Sequence, residues 1–276
     1  MIKYSIKKKI IDGFTYLFLT LFSLAILLPI LWVVRTSLAT DVIAYQIPPK
    51  WFFTPSLENY RDLFVTNGFL RFFGNSLIIS IGTTLVAIPI ATLGAFAFTR
   101  FNVGGRPLQF IVLGTQMLPG IIFILPIFVI FNSLKLTDTY IGVIIAYLAF
   151  NLPFLVWLLM GFFEGLPQEL ENAAAIDGLS PFETFIKIVI PISAPGVMAA
   201  AVLSFILCWN EFLFALVLTG GTTNPVPVGL AAMATQRGVL IGKLSAGTTL
   251  AILPMIIISF TVRKYLVRGL TFGAIK

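Results

Sequence analysis

Histidine is absent from this 276-residue chain, and cysteine occurs once, at Cys208. The first absence excludes imidazole acid–base catalysis and histidine metal ligation. The second excludes an intramolecular disulfide. Cys208 lies inside an apolar run and reads as a small buried side chain. Charge is scarce as well: 11% of residues are charged, 58% are hydrophobic and the mean hydropathy is +1.02. A soluble domain of this length needs a charged surface to stay dispersed. This chain cannot build one, so its main solvent is lipid. It also has no G-x-x-x-x-G-K-[ST] loop with which to cradle a nucleotide. No metal-ligand cluster, paired carboxylates at a membrane face or nucleophile–base pair stands out, which argues against a membrane enzyme.

What is present is a set of long apolar runs. At about 20 residues per crossing, six segments qualify: Phe14–Val34, Ser76–Thr99, Gln109–Phe131, Tyr140–Phe163, Val197–Thr219 and Ala246–Val262. The expected fold class is all-α, a polytopic membrane protein of six helices forming one domain over 1–276. Lysines precede the first run, as in a signal peptide, but the run is longer than a signal core and no small-residue cleavage site follows. It reads as a retained helix. Pro29, Pro89, Pro119, Pro126, Pro153 and Pro254 fall within these runs. Such prolines suit kinked helices around a pathway and suit an ordinary packed bundle equally.

The net charge of +7 sits mostly at segment ends. That pattern fits a topological role and no nucleic-acid partner. With the N-terminus inside, the cytoplasmic segments hold Lys3, Lys7, Lys8, Lys9, Arg100, Arg106, Lys187, Arg263, Lys264, Arg268 and Lys276. The outside holds Arg35, Lys50, Arg61, Arg71, Lys135, Arg237 and Lys243. The excess inside predicts that both termini are cytoplasmic. Two outside loops are long, Arg35 to Asn75 and Gly220 to Ser245. The first carries Pro48, Pro49, Trp51, Phe52, Phe53 and Pro55; the second carries Pro225-Val226-Pro227. A binding role and a position at the lipid interface fit both.

The longest inside loop, 164–194, is acidic and reads as a helical hairpin projecting into the cytoplasm. Pro167 opens a helix with acidic first turns, and Ala173, Ala174 and Ala175 extend it. Gly178 stops it in a left-handed cap. Ser180-Pro181-Phe182-Glu183 restarts it as a capping box. Phe182, Phe185, Ile186 and Val189 line one face, and Pro191 ends the second helix. The alanine patch would let another surface approach closely, which favours a docking element over a loop that is helical only for stability.

Glu171-Asn172-Ala173-Ala174-Ala175-Ile176-Asp177-Gly178, nine residues, then Ile188-Val189-Ile190-Pro191 resembles the EAA loop of ABC-importer permeases. That motif reads E-A-A, three residues, G, nine residues, I-x-L-P. Asn172 stands where its glutamate would be, with Glu171 just before, and Ile190 stands for its leucine. Asn151-Leu152-Pro153-Phe154, Trp209-Asn210-Glu211-Phe212 and the tail Arg268–Lys276 resemble the carbohydrate branch of that family. The resemblance covers nearly the whole chain. It implies a type I importer permease in the plasma (inner) membrane of a prokaryote. It also implies a second permease, two ATPase subunits that bind the ATP and Mg, and an extracellular or periplasmic solute-binding protein that delivers a sugar. This chain would itself bind no cofactor and catalyse nothing. Glu171, Asn172, Ala173, Ala174, Asp177, Gly178, Ile188 and Pro191 would couple to the ATPase. Gly269, Leu270 and Gly273 in the tail, 263–276, would contact it, on a stretch too glycine-rich to extend a stable helix.

Polar side chains within spans are costly and mark candidate pathway positions. Ser204, Cys208 and Glu211 fall at i, i+4 and i+7 on the fifth run, beside Asn210. Tyr147 and Asn151 share a face of the fourth, and Gln109 and Gln116 share a face of the third. Amides, a carboxylate and an aromatic ring suit a sugar. Hydrogen bonding between helices is the competing reading. Gly161-x-x-x-Gly165 and Gly269-x-x-x-Gly273 carry weak packing signals. An ion-coupled secondary transporter is the alternative function, though Glu211 is its only strong coupling candidate and no internal repeat is evident. The charge bias predicts that a cytoplasm-reporting fusion is active at both ends of the chain; a signal from the far side of the membrane at either end would overturn the six-span topology.

Overall fold

The computed structural model describes residues 2–65, 68–235 and 238–272, with side chains described over 11–65, 68–234 and 239–260. Long apolar runs with few interior charges form the long helices, because a helix satisfies every backbone donor and acceptor within one segment. In order these are α1 (Ile2–Ser37), α2 (Asp41–Ala44), α3 (Glu58–Val65), α4 (Phe69–Phe101), α5 (Gly105–Gly114), α6 (Ile121–Ser133), α7 (Tyr140–Glu164), α8 (Glu169–Ile176), α9 (Pro181–Thr184), α10 (Ile190–Asn210), α11 (Leu213–Leu218), α12 (Val226–Ala231) and α13 (Ile241–Phe272). Among the described residues, the only strands are β1 (Ala234–Thr235) and β2 (Gly238–Val239), an antiparallel pair in which Ala234 faces Val239. Five helical stretches are long and apolar enough to cross a membrane, or six if one bent pair is a single span.

That bent pair corrects the continuous third span expected over Gln109–Phe131. Gly105–Met117 and Ile121–Ser133 meet at 95°. Pro119 explains the break. Its ring disfavours helical backbone at the residue before it, and Leu118 is extended, with φ −81° and ψ 129°. The fifth span is corrected at both ends. Pro191 does not end a helix: α9, a π-turn over Phe185–Val189 and α10 run on as one helical stretch, Pro181–Asn210. The wider turn lies just where an α-helix would set the Pro191 ring against the Lys187 carbonyl. At its far end the helix stops at Asn210, with Glu211 extended and a separate helix beginning at Leu213.

The chain divides into two compact units, 1–69 with 232–252, and 70–231 with 253–276. In the first, Asn59 donates to the carbonyls of Ser37 (3.0 Å) and Ala39 (2.8 Å), and Lys243 pairs with Asp62 at 2.7 Å. The loop after α1 folds back on that helix. Trp51 packs edge-on against Trp32, and Arg35 lies over the rings of Trp32 and Phe53. Phe52 and Ile47 stay exposed.

In the second unit two apolar clusters stack along α7. One joins Ala87, Ala91, Ala95 and Phe96 of α4 to Leu155, Leu159 and Phe163, with Phe185 and Val189 of the π-turn. The other joins Ile79 of α4 to Val143, Ala146 and Tyr147, with Phe214, Ala215 and Leu218 of α11. The small side chains on α4 let it approach α7 closely. Gly196 does the same where α10 meets α7: a Cβ built there would lie 2.7 Å from the Phe162 ring. Gly196→Val should therefore overpack this contact, at a cost of about 1–3 kcal/mol, and lower the melting temperature of the purified protein. An unchanged melting temperature would show that α7 and α10 do not depend on this close approach.

Candidate functional site

The turn of the hairpin forms as the residue pattern predicts. Gly178 has φ +86°, and the helix end is a Schellman motif in which Leu179 N donates to Ala174 O (3.0 Å) and Gly178 N to Ala175 O (3.1 Å). No other atom approaches a Cβ built at Gly178 within 4 Å, so the site needs glycine for its backbone conformation and not for space. Ser180 and Glu183 complete a reciprocal capping box: Glu183 N donates to Ser180 Oγ (3.3 Å) and Ser180 N to Glu183 Oε2 (3.0 Å).

Burial sorts the residues of α8. Ala174 is buried, Glu171 is half-buried, and Asn172, Ala173, Asp177 and Gly178 are exposed. Ile176 is 86% exposed, and Phe182 and Ile186 are exposed beside the hairpin tip. The face expected to hold Phe182, Phe185, Ile186 and Val189 together is divided. Phe185 and Val189 enter the core, Phe185 against Phe96 with ring centroids 4.8 Å apart, while Phe182 and Ile186 stay outside. Ile188 is half-buried, and Pro191 is exposed at the start of α10.

Arg100, counted in the sequence only as a topological charge, anchors this element. Its Nε donates to Glu171 Oε1 at 2.6 Å, and its Nη2 donates to the carbonyls of Phe163 (3.0 Å) and Leu166 (3.3 Å). The two side chains are 8% and 17% exposed. One guanidinium thus neutralises the carbonyl end of α7 and fixes the first turn of α8 to the end of α4. The arrangement also accounts for Asn172. The engaged carboxylate belongs to Glu171, and one residue further on the helix turns by about 100°, which leaves Asn172 facing outward.

A second site lies where the helices break. The carboxylate of Glu211 is not part of a stripe on a continuous helix, as its spacing suggested. It accepts from Phe214 N (3.0 Å) and Ala215 N (3.2 Å) and so caps the first turn of α11. Its backbone carbonyl accepts from the Tyr147 hydroxyl at 3.4 Å. Phe214 stacks on Phe150 at 4.0 Å, and a Cβ built at Gly120, in the break between α5 and α6, would sit 3.3 Å from the Phe214 ring. Gln116 is exposed and donates to the Phe150 carbonyl at 2.9 Å; Asn210 is exposed and donates back to Ile206 O at 2.8 Å. Both breaks therefore meet around Phe150 and Phe214. Irregular backbone at membrane depth is tolerated where it is buried in protein or lines a water-filled path.

Asn151 belongs to a different setting. It is 4% exposed, and its amide donates to Ser204 Oγ and Cys208 Sγ, both at 3.0 Å. Thr84 adds a hydrogen bond to Ser204 at 3.2 Å. This polar layer joins α4, α7 and α10 between the two apolar clusters, as interhelical hydrogen bonds do. Gln109 donates to Phe98 O at 3.4 Å, close to a cavity of about 200 Å³ lined in part by Phe110, Trp157 and Glu164. The tail differs from expectation: the backbone of Gly269 and Leu270 is helical within α13. One glycine costs about 1 kcal/mol against helix propagation, too little to stop a helix already under way. Gly273 lies outside the described residues.

Residues 87–272 match the family described as binding-protein-dependent transport system inner membrane component. The trehalose transport system permease protein SugB of Mycobacterium tuberculosis is 34% identical, over 91% of this chain and 92% of its own length. The trehalose/maltose transport system permease protein MalG of Thermococcus litoralis is also 34% identical, over 93% and 94%. Among solved structures, a chain of a bacterial ABC transporter involved in import of the acidic polysaccharide alginate shares the fold, with a TM-score of 0.72 at 23% identity over 93% of this chain and 96% of that one. This chain belongs to the inner-membrane permease family of binding-protein-dependent ABC transporters.

Proposed function

We propose that this chain forms half of the translocation pathway of a sugar importer and couples it to a partner ATPase through the 164–194 hairpin. The observation that carries the coupling role is the Arg100–Glu171 anchor on a hairpin that continues without interruption into the fifth span. A load applied to the exposed side of α8, at Asn172, Ala173 and Ile176, reaches α4 and α7 through the guanidinium, and reaches α10 through the continuous helix. Nucleotide and Mg belong to that partner. A second permease completes the pathway, and a solute-binding protein delivers the cargo on the opposite face. Both termini and the hairpin are cytoplasmic in this reading, so the Asp138 end of α7 faces outward.

Within the pathway, Gln116, Asn210 and the Glu211 turn are the residues nearest the solute, with Tyr147 supporting the turn from below. Asn151 is assigned to helix packing. The names of the relatives favour a disaccharide, and trehalose and maltose are the first substrates to test. In proteoliposomes holding the whole importer with ATP inside, uptake of one of these radiolabelled sugars should persist when ionophores collapse the proton and sodium gradients. Uptake that stops with the gradients would favour an ion-coupled carrier, and uptake of neither sugar would remove the disaccharide assignment.

Coupling has its own test. Gly178→Val places a β-branched residue in left-handed backbone, at a cost of about 1–2 kcal/mol, and should shift α8. Arg100→Gln leaves the Glu171 carboxylate largely buried without its cation, a loss of about 3–5 kcal/mol for a buried pair. Both variants should reach the membrane in normal amounts yet lose most ATPase copurification or uptake. Asp177→Asn, on an exposed side chain, should have a smaller effect. Wild-type coupling in both Gly178→Val and Arg100→Gln would show that this hairpin does not transmit the work.

A further inference from the structure

The polar layer around Asn151 holds more polar atoms than its hydrogen bonds use. From α4 it takes Thr83 and Thr84, with Ser80 one turn before them on the same face. From α10 it takes Ser204 and Cys208. Thr84 is bonded to Ser204, and the Asn151 amide to Ser204 and Cys208. Thr83 lies beside the Cys208 thiol. Ser80, Thr83 and Asn151 are 1%, 0% and 4% exposed. Yet Ser80 Oγ, Thr83 Oγ1 and Asn151 Oδ1 have no hydrogen-bond partner among the described residues.

Hydroxyls in membrane helices commonly fold back onto their own helix. On α4, Thr92 donates to Ile88 O (2.6 Å) and Thr99 to Ala95 O (2.8 Å). Ser193 of α10 donates to Val189 O (2.6 Å), and Thr248 and Thr249 of α13 donate to Leu244 O (2.8 Å) and Ser245 O (2.7 Å). Ser80 and Thr83 make no such bond. A buried polar atom without a partner carries its full desolvation penalty, and here three such atoms lie on two packed helices. Whatever satisfies them must both donate and accept, because the hydroxyls can donate while Asn151 Oδ1 only accepts. No member of the layer is a charged residue, so an ion would gain no counter-charge there. Water meets the conditions: it takes two to four polar partners and needs room for about one sphere of 1.4 Å radius. The members from α4 and α10 are all serine, threonine or cysteine, which are small side chains.

We infer that this layer is a binding site for one ordered water, which donates to Asn151 Oδ1 and is shared by the hydroxyls of Thr83 and Ser80. The water closes a triangle of helices. The direct side-chain bonds of the layer join α4 to α10 and α7 to α10; the water supplies the missing link from α4 to α7. A buried water with such partners is part of the structure and is costly to remove. The site is independent of the cargo and of the energy source.

The test uses the full chain, purified with its natural partners in lipid nanodiscs. In electron-microscopy maps that resolve ordered water on other buried polar groups, density should stand within hydrogen-bond distance of Asn151 Oδ1 and Thr83 Oγ1. Maps of that quality with no density in the layer would overturn the assignment. So would density that vanishes when choline replaces sodium and potassium, which would identify a cation. Thr83→Val keeps the shape and removes the hydroxyl. It should abolish the density and lower the melting temperature further than Thr92→Val, whose hydroxyl serves its own helix. A dry, unpartnered hydroxyl predicts the opposite sign, because an apolar group of the same shape in its place is stabilising. A melting temperature of Thr83→Val equal to or above that of Thr92→Val would therefore also overturn the water site.

Discussion

Within the hydrocarbon core, a backbone amide or carbonyl that leaves a helix finds no water to replace its lost partner. The breaks in this chain are shaped by that constraint. At Asn210 the helix ends, and the Glu211 carboxylate supplies acceptors to the first free amides of α11. Near Leu118 the chain leaves helical geometry ahead of Pro119, and the Gln116 side chain reaches across to Phe150 O. Both interruptions lie against Phe150 and Phe214, and the interior between them and the Arg100 end of α7 is filled by the Asn151–Ser204–Cys208 layer and the α4–α7 cluster. The polar groups at the breaks thus have structural partners already. A solute meeting Gln116, Asn210 or Glu211 would meet groups oriented by those partners and not free to swing.

The two ends of α7 are built on the same chemistry with opposite signs. At one end a guanidinium gathers carbonyls and a carboxylate; at the other the Asp138 carboxylate gathers the amides of Gly220, Gly221, Thr222 and Thr223 and the hydroxyls of Thr222 and Thr223. Each takes several local dipoles into one charged group, which is stronger and more directional than neutral hydrogen bonds of the same number. The consequence is mechanical. A hairpin tied to α4 and α7 through Arg100 cannot tilt without moving them, and its continuity with α10 through the π-turn denies it an independent hinge at Pro191. Relative motion must then be absorbed elsewhere, and the broken segments 118–120 and 211–212 are where backbone geometry is already irregular.

Local signals were legible in the sequence. The six apolar runs, the Gly178 cap, the Ser180 capping box and the family itself could all be read from composition and from residues spaced within one turn or one hairpin. The errors share a cause. Pro191, Pro119 and Glu211 each sit within apolar stretches where hydropathy is indifferent to whether the helix continues, widens or stops. Proline at the start of an apolar run fits a helix stop as well as a π-turn that relieves its clash, and only packing of Phe185 and Val189 into the core decides between them. Hydropathy likewise cannot separate a bent pair from a straight span.

The anchoring pairs were illegible for a different reason. Arg100 and Glu171 are 71 residues apart, and Asp138 lies more than 80 residues from the loop it clasps. Read along the chain, Arg100 is one topological charge among many, and Asp138 is one more polar residue in a turn. Their meaning arises when α4, α7 and α10 pack through small residues and bring those ends together. The Asn172 substitution shows the same dependence. As a motif position it looks like the loss of a required carboxylate. In the folded chain the carboxylate that reaches Arg100 is that of Glu171, and Asn172 is exposed.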